Sequence, residues 1–269
     1  MRRSYASCGL VLALALGAAP NAHADWLKPG KKDQITLGQR AADDVRKHEK
    51  VLPDKDQRVV LLRRVAGRLM AALPPDQLKD WQFSFDIVDS KEVNAFALPG
   101  GPVFFYTGLV DKLKTEDELA GVLAHEMTHV TREHWASAYA DNTKRQLGIG
   151  IVLTIIGANK TAFDIASVSD DLLFGLPYSR RHETEADERG FDTMVKAGYN
   201  PEGMARVFEM LQGTGGSKSP EWASTHPDDK RRVQRIRDKA AKSGQKYPDL
   251  RPLPWIKTEE RTQSAGGKS

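Results

Sequence analysis

Thiols are all but missing from this chain. Its 269 residues include one cysteine, Cys8, so no disulfide framework can hold the fold together. No apolar run reaches the roughly 20 residues that a membrane-spanning helix needs. Internal repeats are missing too, which excludes solenoid and tandem-helix arrays. Charge of either sign is in short excess: the formal net charge is +4, which does not point to nucleic acid as a partner. What is present is a composition that is 40% hydrophobic and 28% charged, as expected of a domain with a substantial core.

The first 24 residues read as an export signal. Met1-Arg2-Arg3 is basic, Cys8 to Ala19 is apolar, and Ala22-His23-Ala24 is a small-x-small cleavage site. Cleavage after Ala24 would remove Cys8 and two arginines and lower the net charge from +4 to +2. Residues 25–36 read as a polar leader, 37–243 as the folded domain and 244–269 as a Pro-rich, then polar tail, extended or disordered.

Within the domain, Val45, Val51, Val59, Leu62, Val65, Leu69 and Leu73 have the spacing of one or two amphipathic helices ended by Pro74-Pro75. Residues 81–88 alternate as a strand does, and 93–98 and 102–106 form two further β-type runs about a Pro99-Gly100-Gly101 turn. Leu119 to His134 reads as a helix with Glu116, Asp117 and Glu118 in its first turn, where the helix dipole favours acids. Leu147 to Gly157 has the length of a buried helix, and further helices are expected over 183–198, 201–212 and 228–242.

Chemistry concentrates in His125-Glu126-Met127-Thr128-His129. On a helix the two histidines lie one turn apart on one face, and two neutral imidazoles so placed bind one zinc ion. Glu126 is rotated by about 100° from His125, which lets it take a proton from a zinc-bound water without becoming a ligand. A catalytic zinc needs a third protein ligand. Glu183 and Asp187 share a helix face, so Glu183 could complete a two-histidine, one-carboxylate site and Asp187 could accept a ligand's free N–H. On spacing alone this segment also reads as a solvated helix start.

His-Glu-Met-Thr-His, Ser-Arg-Arg-His-Glu-Thr-Glu-Ala-Asp at 179–187, Ser-Thr-His-Pro at 224–227 and Asn-Ala-Phe-Ala-Leu-Pro-Gly-Gly at 94–101 occur in that chemical company. Together they resemble the gluzincin metallopeptidases of the HtpX and CaaX-prenyl-protease type, closest to their soluble periplasmic BepA- and LoiP-like branch, over residues 35–240. The resemblance implies His125, His129 and Glu183 as zinc ligands, with Glu126 and Asp187 in catalytic support. It also implies that His226 lies near the metal, where it steadies an oxyanion or fills the open coordination position as an inhibitory switch. By itself His226 is a loop histidine, and His134 and His182 read as structural or surface residues. Neither the tetratricopeptide repeats of the BepA-type chain nor the flanking transmembrane helices of the HtpX type are present.

The sequence therefore predicts an α+β, zincin-like domain, mostly helical with a small β-sheet, binding one zinc ion. Its expected activity is that of a periplasmic zinc endopeptidase acting on protein or peptide substrates, unfolded envelope proteins among them. The extended run 94–98 is the candidate substrate edge, with Gly100 and Gly101 allowing close approach. No nucleic-acid partner is expected. Peripheral association with the membrane or with outer-membrane assembly machinery is compatible with the chain. The rivals are a chaperone or assembly factor with a normally shut peptidase site, and a structural zinc protein.

Overall fold

The computed structural model describes residues 27–155, 175–213, 222–226 and 231–256. The expected signal peptide, Pro227 and the polar end of the tail lie outside these residues. Among the described residues no helix is long and apolar enough to cross a membrane.

Two helices open the domain: α1 (Lys31–His48) and α2 (Gln57–Ala72). The helical stretch therefore begins inside the segment read as a leader, because Gln34 and Leu37 are already buried. Asp56 caps α2 through the backbone N–H of Arg58. Pro74-Pro75 ends α2 as expected, although Pro75 then starts the single turn α3 (Pro75–Leu78), where the missing N–H of proline carries no cost.

The strands are β1 (Ser84–Val88), β2 (Ala95–Ala97) and β3 (Pro102–Tyr106), in the spatial order β1-β3-β2. β1 runs parallel to β3, with Phe85 opposite Val103 and Ile87 opposite Phe105. β2 runs antiparallel to β3, with Phe96 opposite Phe104, and forms one edge of the sheet. The short α4 (Thr107–Val110) leads into α5 (Glu116–Thr131).

α5 is the axis of the molecule, and every residue from Asp117 to Val130 on it is buried. Its N-terminus is a capping box: the Thr115 hydroxyl accepts from the Glu118 N–H while the Glu118 carboxylate accepts from the Thr115 N–H. Asp117 in the same turn accepts from the backbone N–H groups of Asn200 and Arg251 at 2.7 and 2.8 Å. The helix ends earlier than its apolar pattern suggests. Glu133 takes a left-handed conformation with φ 54°, and a new helix, α6 (His134–Ile155), starts in another direction.

α7 (Arg180–Lys196) and α8 (Glu202–Gly213) pack along α5, with the turn α9 (Trp222–Thr225) and α10 (Arg232–Ser243) completing the helical layer. The continuous core lies between this layer, α2 and the sheet; it includes Leu62, Leu69, Ile87, Phe105, Leu123, Met204 and Phe208. Residues 245–250 have no regular secondary structure. They are nonetheless anchored: Pro248 accepts from the Asn200 side chain, Pro252 bridges to Thr115, and Leu253 is buried.

One expectation is corrected here. Gly100 and Gly101 have φ of 85° and 136°, but the space they leave is not open to a substrate. A Cβ on Gly100 would fall 2.4 Å from the Ile35 Cα, and one on Gly101 2.4 Å from the Gln82 carbonyl oxygen. The turn needs glycine because α1 is packed onto Gly100 and the chain entering β1 onto Gly101. Gly38 is the matching surface of α1, where a Cβ would stand 1.7 Å from the Pro99 carbonyl oxygen. Gly38→Ala should therefore cost about 1–3 kcal/mol through overpacking, lowering the thermal midpoint by roughly 2–4 °C per kcal/mol. Gly67→Ala, with nothing within 4 Å of the new methyl group, should be neutral or stabilise by up to about 1 kcal/mol. Thermal unfolding followed by circular dichroism distinguishes them, and equal midpoints would refute the packing argument.

Candidate metal centre

α5 and α7 cross closely because small residues lie at the contact, Ala186 among them with no exposed surface. The crossing brings the i,i+4 pair of one helix against the i,i+4 pair of the other. His125 Nε2 lies 3.0 Å from His129 Nε2. Glu183 approaches both, its carboxylate oxygens 3.5 Å from each of those nitrogens. From the end of α9, His226 places Nδ1 3.3 Å from His125 Nε2 and 3.1 Å from Glu183 Oε1. One donor atom from each of these four buried residues lies within 4.8 Å of the others.

These separations suit a metal ion. Two ligands each about 2.0–2.1 Å from zinc at a tetrahedral angle stand roughly 3.3 Å apart. Two imidazole nitrogens facing each other at 3.0 Å, each with a Glu183 carboxylate oxygen 3.5 Å away, form a donor set aimed at a shared cation. All the donors are nitrogen or carboxylate oxygen, the set that zinc accepts.

The surroundings hold these groups in place. His125 Nδ1 meets Asp187 Oδ1 at 3.1 Å, so the carboxylate can take the ring N–H and leave Nε2 bare for a metal. Asp187 is gripped by Arg232, whose Nε and Nη2 reach its two oxygens at 2.9 and 2.6 Å. The same guanidinium is 3.1 Å from Glu183 Oε2 and lies over the Phe208 ring at 4.0 Å. Arg232 is 1% exposed. Burial pushes Asp187 up, but Arg232 and His125 outweigh it and hold the carboxyl below the usual range. Burial likewise works against Glu183 ionising, and the positive charge of His226 and His125 brings it well below its ordinary value. Burial opposes a charge on His125 as well, yet Asp187 and Glu183 raise it to about 9. Carboxylates thus face both nitrogens of the His125 ring, Glu183 at Nε2 and Asp187 at Nδ1.

Glu126 lies beside this cluster, its Oε1 accepting from Trp222 Nε1 at 3.3 Å and standing 3.5 Å from His226 Nε2. Trp222 in turn stacks on His226, with centroids 4.4 Å apart and planes 11° apart. Phe96 and Ala97 of β2 join Glu126, Trp135, Tyr178 and His226 around a small enclosed pocket. The sheet edge expected to take substrate therefore does face the cluster.

All six residues singled out in the sequence, His125, Glu126, His129, Glu183, Asp187 and His226, are brought together. Three neighbours were missed. Arg232 heads the i,i+4 stripe Arg232-Ile236-Ala240 of α10, and a cation on an otherwise apolar stripe was the signal available. Trp222 carried none. His134 was read as structural or surface; it is buried, with Nδ1 3.0 Å from His129 Nδ1.

Removing any bound metal with a chelator should lower the thermal midpoint, and one equivalent of zinc per chain should restore it. Arg232→Ala strands two buried carboxylates and should cost about 3–5 kcal/mol in chemical denaturation. A loss below about 1 kcal/mol would mean that the ion cluster is relaxed by water.

The profile of peptidase family M48 matches residues 57–240. The chain is similar to the mitochondrial metalloendopeptidase OMA1 of Schizosaccharomyces pombe, 31% identical over 196 residues, 71% of this chain and 55% of that protein. It is similar to metalloprotease LoiP of Escherichia coli, 26% identical over 216 residues, 78% of this chain and 81% of that one. With the beta-barrel assembly-enhancing protease of Escherichia coli it shares 30% identity over 167 residues, 59% of this chain and 34% of that protein. The match spans about half of the OMA1 protein and about a third of the assembly-enhancing protease.

Proposed function

This chain belongs to peptidase family M48, a family of zinc-dependent metallopeptidases, and on that premise we propose that it is a zinc endopeptidase of the bacterial periplasm. One observation carries the activity: four buried donor atoms lie within 4.8 Å of one another with an acidic side chain, Glu126, beside them and outside the donor set.

In this reading His125, His129 and Glu183 hold the ion. Zinc bound there supplies Lewis acidity, polarising a carbonyl and bringing a water's pKa towards 7. The Glu126 carboxylate accepts the proton of the attacking water and returns it to the leaving amine. Asp187, held by Arg232, keeps His125 oriented. β2, an outer strand of the sheet, receives an extended substrate backbone beside the pocket lined by Phe96, Trp135 and Tyr178.

The substrates we propose are misfolded or stalled envelope proteins. The signal-like N-terminus supports an extracytoplasmic site, and the likeness to a protease named for enhancing beta-barrel assembly supports a substrate of the envelope. The placement within the HtpX/CaaX-type group, nearest the BepA- and LoiP-like branch, rests on the four motifs named above.

A second reading is favoured by the position of His226, whose Nδ1 stands among the donors. As a fourth ligand it would shut the site, giving an assembly factor or chaperone whose peptidase works only when opened. Glu126→Gln should reduce cleavage of casein by about 10²–10⁴-fold while zinc content stays at one per chain; unchanged proteolysis would sink the mechanism. His226→Ala separates the readings. A gated peptidase gains activity, an enzyme that uses His226 in the transition state loses it, and a structural zinc protein is inactive in every form.

A further inference from the structure

His129 has two ring nitrogens, and the donor cluster accounts for one. The other, Nδ1, faces Nδ1 of His134 at 3.0 Å. His134 is 2% exposed, and its second nitrogen, Nε2, lies 3.4 Å from Glu185 Oε2. The other oxygen of Glu185 accepts from Arg132 Nε at 2.6 Å and Arg189 Nε at 2.8 Å. Donor and acceptor roles along this row follow from one condition. If His129 Nε2 keeps its lone pair for a metal, the ring proton is on Nδ1; His134 must then accept at Nδ1 and carry its own proton on Nε2, where Glu185 takes it. Glu185 is acceptor-only, and two guanidinium groups hold it.

The backbone is bent to make this contact. On a continuous helix His134 would be rotated by roughly 140° from His129 and displaced by about 7.5 Å along the axis. The left-handed residue Glu133, φ 54°, interrupts the helix and turns α6 so that the two rings meet with centroids 4.9 Å apart. A non-glycine residue in that conformation is strained. Gln34 Nε2 donates to the Glu133 carboxylate at 2.8 Å, and α1 thereby holds the bend. The His182 ring stacks on the far face of His134, 4.5 Å away and 13° from parallel.

We propose that His134 is a positioning residue for the metal centre: it accepts the Nδ1–H of His129, fixes that ring's tautomer and aims its Nε2 into the donor cluster, with Glu185 as its anchor. The proposal rests on reading His129 as a ligand. It makes the two histidine ligands chemically unequal. His125 is backed by a carboxylate, which strengthens its donation to a metal, whereas His129 is backed by a neutral ring and donates less. A metal so held keeps more of its positive charge than one with two carboxylate-backed imidazoles.

The test reads metal rather than turnover. Zinc and cobalt(II) binding are measured on the full chain, together with the visible spectrum of the cobalt form. His134→Leu should weaken zinc binding roughly 10- to 100-fold and shift the cobalt bands. His134→Gln, whose amide oxygen can accept the same proton, should recover most of the affinity. Leu253→Ala, which opens a cavity in the core at the N-terminal end of α5, is the control for instability alone and should leave the cobalt spectrum unchanged. On the zinc-loaded parent, ¹⁵N imidazole NMR should show a scalar coupling between His129 Nδ1 and His134 Nδ1 across the shared proton, which decides the matter even if His134→Leu does not fold. Parental affinity and spectrum in His134→Leu, or no coupling in the loaded parent, would overturn the proposal. A parent that binds no metal would instead overturn the reading of His129 as a ligand.

Discussion

The structure depends on one constraint: α5 is buried on every side, yet its sequence is heavily polar. Between Asp117 and Val130 all residues are buried, and a buried polar group that finds no partner costs on the order of 1–3 kcal/mol. Each of these side chains therefore recruits a particular element. Asp117 takes two backbone N–H groups, from the α7–α8 connection and the C-terminal segment. Glu118 closes the capping box. Thr128 bonds back to the Ala124 carbonyl. His125 meets Asp187, His129 meets His134, and Glu126 meets Trp222. The elements around α5 are arranged so that no polar atom on it is stranded, and the chemistry of the centre is a by-product of the same requirement.

Charge sets the second condition. Glu183 and Asp187 sit one turn apart on α7, each at most 4% exposed, and two carboxylates so close would repel if left alone. Arg232 contacts both and lies 4.0 and 5.1 Å from the ring centroids of Phe208 and Trp222. Rings of that kind favour a cation without adding acceptors that would compete for its N–H groups. A guanidinium suits the position because its planar fork can serve two carboxylates at once; a lysine ammonium would not. A cation held by His125, His129 and Glu183 would share the compensation with Arg232, which reaches both carboxylates.

How much of this was legible in the sequence follows from the range over which each contact acts. The pairs His125/His129 and Glu183/Asp187 are local, and helical periodicity alone predicts that each pair shares a face. The strands and most helices were legible for the same reason, through alternation and 3.6-residue spacing. That α7 crosses α5 at those faces is tertiary, and the family resemblance supplied it; the same is true of His226. Arg232 was hidden because a lone arginine in a basic helix looks solvated unless its stripe is examined. The function of Gly100 and Gly101 was misread because a glycine marks close approach without saying of what. His134 was hidden by the bend at Glu133, since no rule of helix periodicity places residues five apart in contact.

The centre also has a mechanical consequence. Both partners of the Glu126 carboxylate, the Trp222 N–H and the His226 ring, come from the one-turn helix α9 and the residue after it. His226 is also the fourth member of the donor cluster. Among the hydrogen bonds that hold this turn is the one in which the Tyr178 N–H donates to the Thr225 carbonyl at 3.0 Å, on the strand of chain leading into α7. Trp222 stacks on His226, so the two rings cannot easily move apart. A displacement of α9 would therefore act on both groups together. It would strip Glu126 of the N–H that competes for its lone pairs and empty the position opposite the other donors. A proton acceptor made available at the moment a coordination position opens is the combination that hydrolysis requires. The two readings of His226, as brake and as participant, would then differ in where this one turn sits.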